Sequence, residues 1–285
     1  TRLSDNVTLS TMHGCPPEEI EQIAGYLVEE RKLHTNIKLN PTIVGAKELR
    51  AILNDRLGFK EIEVPDEAFA HDTKFPDALA MVRRLHPKAA ALGLTLGLKL
   101  TNTLEVKNHR PVFPADQSMM YMSGRALHPL TVNAGLQMVE ELGYSVPISF
   151  CGGADAFNAT EILSCGFTPL TVCTDLLHPG GYTRLPQYFE ELQKHLKELK
   201  AADMTELAVA RAGQKENFKR DFPQFFQREL SRQNAQIEES VAQQAAADLA
   251  EKIRSGEFST HSVAADLDLN EQQKTALFHA AISAC

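Results

Sequence analysis

The chain has little basic charge to spare. Its 29 lysines and arginines stand against 37 aspartates and glutamates, for a net charge of −8 over 285 residues. Without basic runs it carries no electrostatic footprint for a phosphate backbone, which excludes nucleic acid as the expected partner. No apolar stretch approaches the roughly 20 residues that span a bilayer, and no signal-peptide pattern opens the sequence. A soluble, cytoplasmic protein away from membranes is the expectation. Cysteine is scarce: Cys15, Cys151, Cys165, Cys173 and Cys285 are odd in number, scattered and never spaced CxxC. That spacing speaks against a disulfide framework and against a zinc or iron–sulfur site built from this chain alone, so no metal ligand is assigned. GxSxG, HExxH and P-loop patterns are also missing.

What is present is a repeated unit, in which five short apolar runs each end in a small polar cluster. Val7-Thr8-Leu9-Ser10 leads into Thr11-Met12-His13-Gly14, and Ile37-Lys38-Leu39 into Asn40-Pro41. Leu96–Leu100 leads into Thr101-Asn102-Thr103, Ile148–Phe150 into Cys151-Gly152-Gly153, and Leu170–Val172 into Cys173-Thr174-Asp175. Each interval between clusters has room for a helix. Strand, polar cluster and helix in repetition are how a parallel barrel builds an active face from the carboxyl ends of its strands.

Helices are predicted over 16–32, where prolines and acidic residues fill the first turn, and over 45–56, 75–92, 130–142, 155–165 and 187–199. Glu61–Val64 reads as a short extra strand, and 104–122, rich in proline and methionine, as a loop. Beyond about residue 200 glycine thins out and alanine, glutamine and charge dominate, as in 235–254 and 270–281. The predicted organisation is an α/β region over 1–199 and a helical appendage or linker over 200–285.

The last two clusters look like a phosphate cradle. Paired glycines allow a ligand close to the backbone, and free N–H groups attract phosphate oxygens. Lys38 and Lys99 stand near the ends of apolar strands, where an amine needs an anion or an exit to solvent. A cation at Lys38 suits an anionic flavin ring, while Lys99 is also a candidate Schiff-base amine for a phosphate-binding lyase or aldolase. Thr101-Asn102-Thr103 offers groups that orient a planar heterocycle, or that cap a strand end. Ser123-Gly124-Arg125 reads as another backbone-approach site. Thr8 to Cys15 gathers acid–base candidates, with His13 and Cys15 an isolated nucleophile pair that no downstream motif supports. Cys151 and Cys173 read as small buried hydrophobes.

These clusters, in this order, resemble the FMN-binding barrel of dihydroorotate and dihydropyrimidine dehydrogenases. The nearest likeness is the barrel-like region of proteins named as selenate reductase iron–sulfur subunits. Ser10–Pro17, Lys99–Thr103, Tyr121–Arg125, Gly152–Asn158 and Pro179–Tyr182 carry the resemblance, which runs from about 7 to about 196. It implies the C-terminal portion of a TIM (β/α)8 barrel, about five parallel strands, with the helical appendage after it. The same resemblance implies FMN held by Lys38, Thr101, Ser123, Gly124, Gly152, Gly153, Cys173 and Thr174. Thr8, Asn102 and Thr103 would face the substrate, and Thr11, His13 and Cys15 the chemistry. Two departures stand out: Thr8 and Thr11 occupy the positions of the family's substrate asparagine and its proton-transfer cysteine or serine, and Asp175 stands beside the phosphate site.

The strand at Val7–Ser10 corresponds to the fourth of the family's eight. An arc of five strands is expected to leave edges and an apolar interior uncovered. The missing N-terminal barrel strands would then come from the preceding part of the same polypeptide or from a partner chain. Iron–sulfur clusters and a second flavin would sit on other electron-transfer domains or chains. The expected activity is an FMN-dependent oxidoreductase barrel within such an assembly; the alternative is a catalytically degenerate barrel that serves as a structural or docking domain.

Overall fold

The computed structural model describes residues 4–11, 15–109, 113, 114 and 116–214. Met12, His13 and the helical stretches read over 235–254 and 270–281 lie outside the described residues. Strand β1 (Asn6–Ser10) pairs in parallel with β2 (His34–Leu39), and β2 with β3 (Leu96–Leu100). Two further strands, β4 (Leu104–Lys107) and β5 (Met119–Met122), form an antiparallel hairpin of their own. The main sheet continues from β3 to β6 (Ile148–Phe150), again parallel, and a single parallel bridge from Phe150 to Leu170 adds the fifth position. Strands of the main sheet thus follow one another in sequence order, as staves do in a barrel wall.

Helices cover one face. Helix α1 (Pro17–Glu29) starts behind Pro16 with Glu18 and Glu19 in its first turn, where acidic groups complement the helix dipole. It buries Ile20, Ala24 and Val28 at four-residue steps. Helix α2 (Ala46–Arg50) runs on into a π-helical stretch over Ala51–Arg56, and α3 (Asp66–His71) and α4 (Phe75–Ala91) follow. α4 packs beside α1, and Arg84 grips Glu21 through two hydrogen bonds of 2.8 and 2.5 Å. Helix α5 (His128–Leu142) ends at Gly143. The short α6 (Ala159–Ser164), α7 (Leu185–Glu198) and α8 (Met204–Arg211) close the described chain. Past the expected boundary near 200, α8 still packs on α6 and α7, with Arg211 paired to Glu161 at 3.2 Å.

The core lies between this helical layer and the sheet. Ile37, Leu39, Leu98, Leu100, Ile148 and Phe150 point to it from the strands, meeting Ala24, Val28, Met81, Leu85, Leu130 and Met138. Because successive strand residues face opposite sides, the other face carries Thr8, Ser10, Asn36, Lys38, Gly97, Lys99 and Ser149. The expected apolar interior is therefore corrected: this concave face is polar. Asn36 donates to Asn6 Oδ1 at 3.0 Å across β2 and β1. At Gly97 an added Cβ would stand 2.9 Å from the Pro147 carbonyl oxygen and 2.5 Å from Asn36 Oδ1, so a side chain there would force the backbone apart.

Other expectations change as well. Glu61–Val64 is not a strand, although the Glu63 carbonyl accepts from the backbone N–H of Lys107 at 2.9 Å. Much of the expected loop over 104–122 is the β4–β5 hairpin, whose Leu104 and Val106 are buried in the core. The helix expected over 155–165 begins only at Ala159, because Asp155 uses its carboxylate to accept from the backbone of Phe157 and Asn158. Such a local side-chain bond competes with helix.

Candidate functional site

Loops at the carboxyl ends of the strands build the site. Asn102, just past β3, donates its amide to the Thr11 carbonyl at 3.1 Å and to Asn40 Oδ1 at 2.8 Å. Its own carbonyl accepts from Ser10 Oγ at 3.2 Å. One side chain thus clasps the ends of β1, β2 and β3. Thr11 is buried and donates its hydroxyl to the Lys38 carbonyl at 2.8 Å. Thr101 is buried too, within hydrogen-bond distance (3.0 Å) of Thr131 Oγ1 on α5. Neither threonine presents a free hydroxyl to the concave face. Thr8 and Thr103 are exposed, and Cys15 is half-buried.

Lys38 and Lys99 project from the concave face at matched register positions. Lys99 donates to Thr171 Oγ1 at 3.1 Å, whereas the Lys38 amine meets no hydrogen-bond acceptor among the described residues. Both act on Cys151, which donates its thiol to the Thr101 carbonyl at 3.1 Å. Burial pushes the Cys151 thiol up, and the two lysines oppose that only in part. Cys151 is thus a protonated structural group. Cys173 is exposed, which corrects its reading as a buried hydrophobe; the strand carrying it has thinned to one bridge.

The second half of the site is a cavity of about 530 Å³ lined by Gly124, Gly153, Ala154 and Thr174, together with Arg125, Asp155, Asp175, His178 and Arg184. Three of the cradle residues read from the sequence meet here. Gly124 (φ 72°) and Gly153 (φ 74°) adopt left-handed backbone that disfavours any side chain. A Cβ on Gly153 would collide with the Gly124 carbonyl oxygen, and one on Gly124 would come within 2.9 Å of Thr174 Cγ2. Gly152 instead packs on Thr131 and does not line the cavity, nor do Ser123 and Cys173. Asp155 and Asn158 lock the turn: Asn158 Nδ2 donates to the Gly153 carbonyl at 3.0 Å, and its Oδ1 accepts from Asp155 N at 2.8 Å. The backbone N–H groups of Gly124, Arg125, Gly153, Ala154 and Thr174 have no acceptor among the described residues. Unspent amides beside left-handed turns form an anion-binding concavity.

Asp175 is not a free negative charge in this cavity. It accepts from Arg184 Nη2 at 2.8 Å, Arg184 Nε at 3.2 Å and the Tyr188 hydroxyl at 2.7 Å. Burial pushes its carboxyl up, but the bonds from Arg184 and Tyr188 and the positive charge nearby outweigh this and hold it below the usual range. Arg184, Tyr188 and His178 escaped the sequence reading. A nine-residue separation between Asp175 and Arg184 has no periodic signature, and only the neighbouring Pro179–Tyr182 stretch marked the region.

A sequential parallel sheet with polar carboxyl-end loops and a backbone anion cradle defines a TIM-barrel-type α/β protein. The chain belongs to the family described as Oxidoreductase YgfK, N-terminal TIM-barrel domain, which matches residues 1–221. It is 46% identical over 193 residues to the YgfK protein of Escherichia coli K12, whose name marks it as a candidate oxidoreductase; the match covers 68% of this chain and 18% of that protein. The YgfK protein of Escherichia coli O157:H7 matches to the same extent. The chain therefore spans under a fifth of the length of these relatives. A crystal structure of DHODH from Eimeria tenella in complex with ferulenol is similar at 18% identity and a TM-score of 0.38, over 67% of this chain and 57% of that one. Among the described residues no helix is long and apolar enough to cross a membrane.

Proposed function

We propose that this domain is an FMN-binding oxidoreductase barrel within a longer electron-transfer protein. The observation that carries the reading is the pairing of an unspent backbone cradle at Gly124, Gly153 and Thr174 with an uncommitted amine, Lys38, on the concave face. The residues fit the cofactor's two ends: amides that meet no acceptor among the described residues suit a phosphate, and a lysine that meets no carboxylate among them suits an electron-rich ring. When bound, FMN supplies reversible uptake of electrons, which no side chain here provides. The chain's own residues then do three things. Gly124, Gly153, Ala154 and Thr174 anchor the phosphate through N–H groups, Lys38 offers positive charge at the ring, and the Asn102 clasp holds the end of β2 that carries Lys38.

The described residues offer no proton-transfer group to a substrate at the position of Thr11, whose hydroxyl is buried and donated to a carbonyl. A hydroxyl so placed is a poor general acid or base. This favours electron relay over pyrimidine chemistry, with iron–sulfur clusters and a second flavin on other domains, and with further barrel strands from the same polypeptide or a partner. It also keeps a second reading in view, in which the barrel has lost its chemistry and serves as a docking domain. The visible spectrum of the purified longer protein decides between them. Oxidised-flavin bands, with FMN released on denaturation, support the first reading; colourless protein that takes up no added FMN overturns it in favour of the second.

A further inference from the structure

We propose that two carboxylate-braced arginines, Arg125 and Arg184, turn the cavity beside Gly124 and Gly153 into a site for a phosphomonoester and set its preference for that dianionic end. The inference deepens the flavin reading, and rests on it for the identity of the natural ligand. Neither arginine belongs to the cradle that the sequence resemblance implies.

Each guanidinium is held along one edge by an aspartate that is itself saturated. Arg125 Nε donates to Asp155 Oδ2 at 2.6 Å, while Asp155 Oδ1 accepts from the backbone N–H groups of Phe157 and Asn158 at 2.8 and 3.2 Å. Arg184 makes two bonds to Asp175, whose Oδ2 also accepts from Tyr188. Asp155 and Asp175 are only 4% and 6% exposed, so neither carboxylate is free to swing into the cavity and repel an anion. Both arginines line that cavity, yet neither Arg125 Nη1 and Nη2 nor Arg184 Nη1 meets an acceptor among the described residues. Braced on one edge, a planar guanidinium presents its remaining donors in a fixed direction and loses little freedom when it binds.

The number of directions selects the ligand chemistry. Donors line this cavity from four separate stretches of chain: Gly124 and Arg125, Gly153 and Ala154, Thr174, and Arg184. A planar carboxylate has two oxygens in one plane and cannot satisfy donors arriving from so many sides. The three terminal oxygens of a phosphomonoester can, and charge-assisted bonds to them are the stronger kind. A free phosphate and the terminal phosphate of a nucleotide share this chemistry.

The test uses the purified longer protein, titrated with FMN, riboflavin and inorganic phosphate, as wild type and as Arg125→Gln and Arg184→Gln. Thermal melts run alongside and separate a folding defect from a lost ligand contact in each variant. The expected result is FMN affinity at least tenfold above that of riboflavin, with that advantage cut about tenfold in each glutamine variant and riboflavin binding unchanged. Equal affinity for FMN and riboflavin overturns the inference while leaving the flavin reading intact, as does an FMN preference that survives both glutamine variants. Binding of inorganic phosphate, lost in those variants, with neither flavin bound, upholds the arginine site and sinks the flavin reading. Binding of none of the three sinks both.

Discussion

Lys38 and Lys99 are register partners on adjacent parallel strands, side by side on the concave face. Among the described residues only Lys99 is tied down, by its bond to Thr171. Two amines this close repel one another unless an anion lies between them or solvent screens them. Lys38 is therefore the side chain whose removal reads out ligand charge most cleanly. In Lys38→Met, bound FMN is expected to lose affinity by about tenfold and to show a midpoint potential lower by roughly 30 mV, the equivalent of a tenfold change in a two-electron equilibrium. Spectroelectrochemical titration of wild type and variant checks both. An unchanged potential with unchanged affinity contradicts the assignment of Lys38.

Gly153→Ala tests whether the cradle's shape depends on two loops touching. The added methyl falls against the Gly124 carbonyl, and the left-handed backbone at 74° adds strain of its own. A cost of about 1–3 kcal/mol in stability is expected, with FMN binding lost because Gly124 moves. Gly45→Ala is the control: its φ is 88°, but nothing lies within 4 Å of a Cβ there, so strain acts without collision and binding is retained. Equal loss of stability and of binding in both variants shows that backbone strain, not loop contact, governs the site.

The strand order and most of the helices were legible because their signals are local. Ile20, Ala24 and Val28 at four-residue steps write a helix, and apolar runs ending in polar clusters write parallel strands. The polar concave face was written there as well, in Thr8, Ser10, Asn36, Lys38 and Lys99, but the alternation was masked by apolar neighbours that face the helices. What the sequence could not show depends on distant partners. Asn102 reads equally as a substrate ligand or a strand-end cap until Ser10, Thr11 and Asn40 are seen around it. Arg184 joins the cradle only because two short 3-10 turns, Thr174–Leu177 and Gly181–Arg184, fold it back onto Asp175. The Met119–Met122 strand was hidden by its unbranched side chains and by the proline-rich approach to it.

The Asn102 clasp carries its own prediction, since its side chain adds to the backbone bonds that Thr11 and Asn102 still make to Lys38 and Leu39 where three strands end. Removing it in Asn102→Ala takes away one exposed accepted bond, which contributes little, and two donated bonds at partly buried positions. Each such bond contributes about 0.5–1.5 kcal/mol net, so roughly 1–3 kcal/mol of stability should be lost. The expected readout is a lower urea midpoint with an unchanged slope. Asn102→Asp keeps the shape but loses the two amide donors, and its stability should fall comparably. A variant as stable as wild type shows that the strand ends hold without the clasp and releases Asn102 for the substrate role.

Asp175 supplies a pH signature that separates a braced carboxylate from an idle one. Its folded-state carboxyl lies below the usual range, so the folded chain gives up this proton more readily than the unfolded chain does. The sign follows: the stabilising contribution is full above the unfolded value, about 4 for an aspartate, and drains away as pH falls through the lower folded value. Asp175→Asn keeps one acceptor for Tyr188 or Arg184 but abolishes the ion pair, and is expected to cost about 1–3 kcal/mol at neutral pH. Urea midpoints measured at pH 7, 5, 4 and 3 should show a gap between wild type and variant that is constant at pH 7 and 5 and narrows below pH 4. If the gap stays constant down to pH 3, Asp175 does not titrate with folding, and its pairing with Arg184 contributes no charge energy. If instead the gap widens with acid, the carboxyl is destabilised in the folded chain, and the bracing of Arg184 on which the phosphate site depends is wrong.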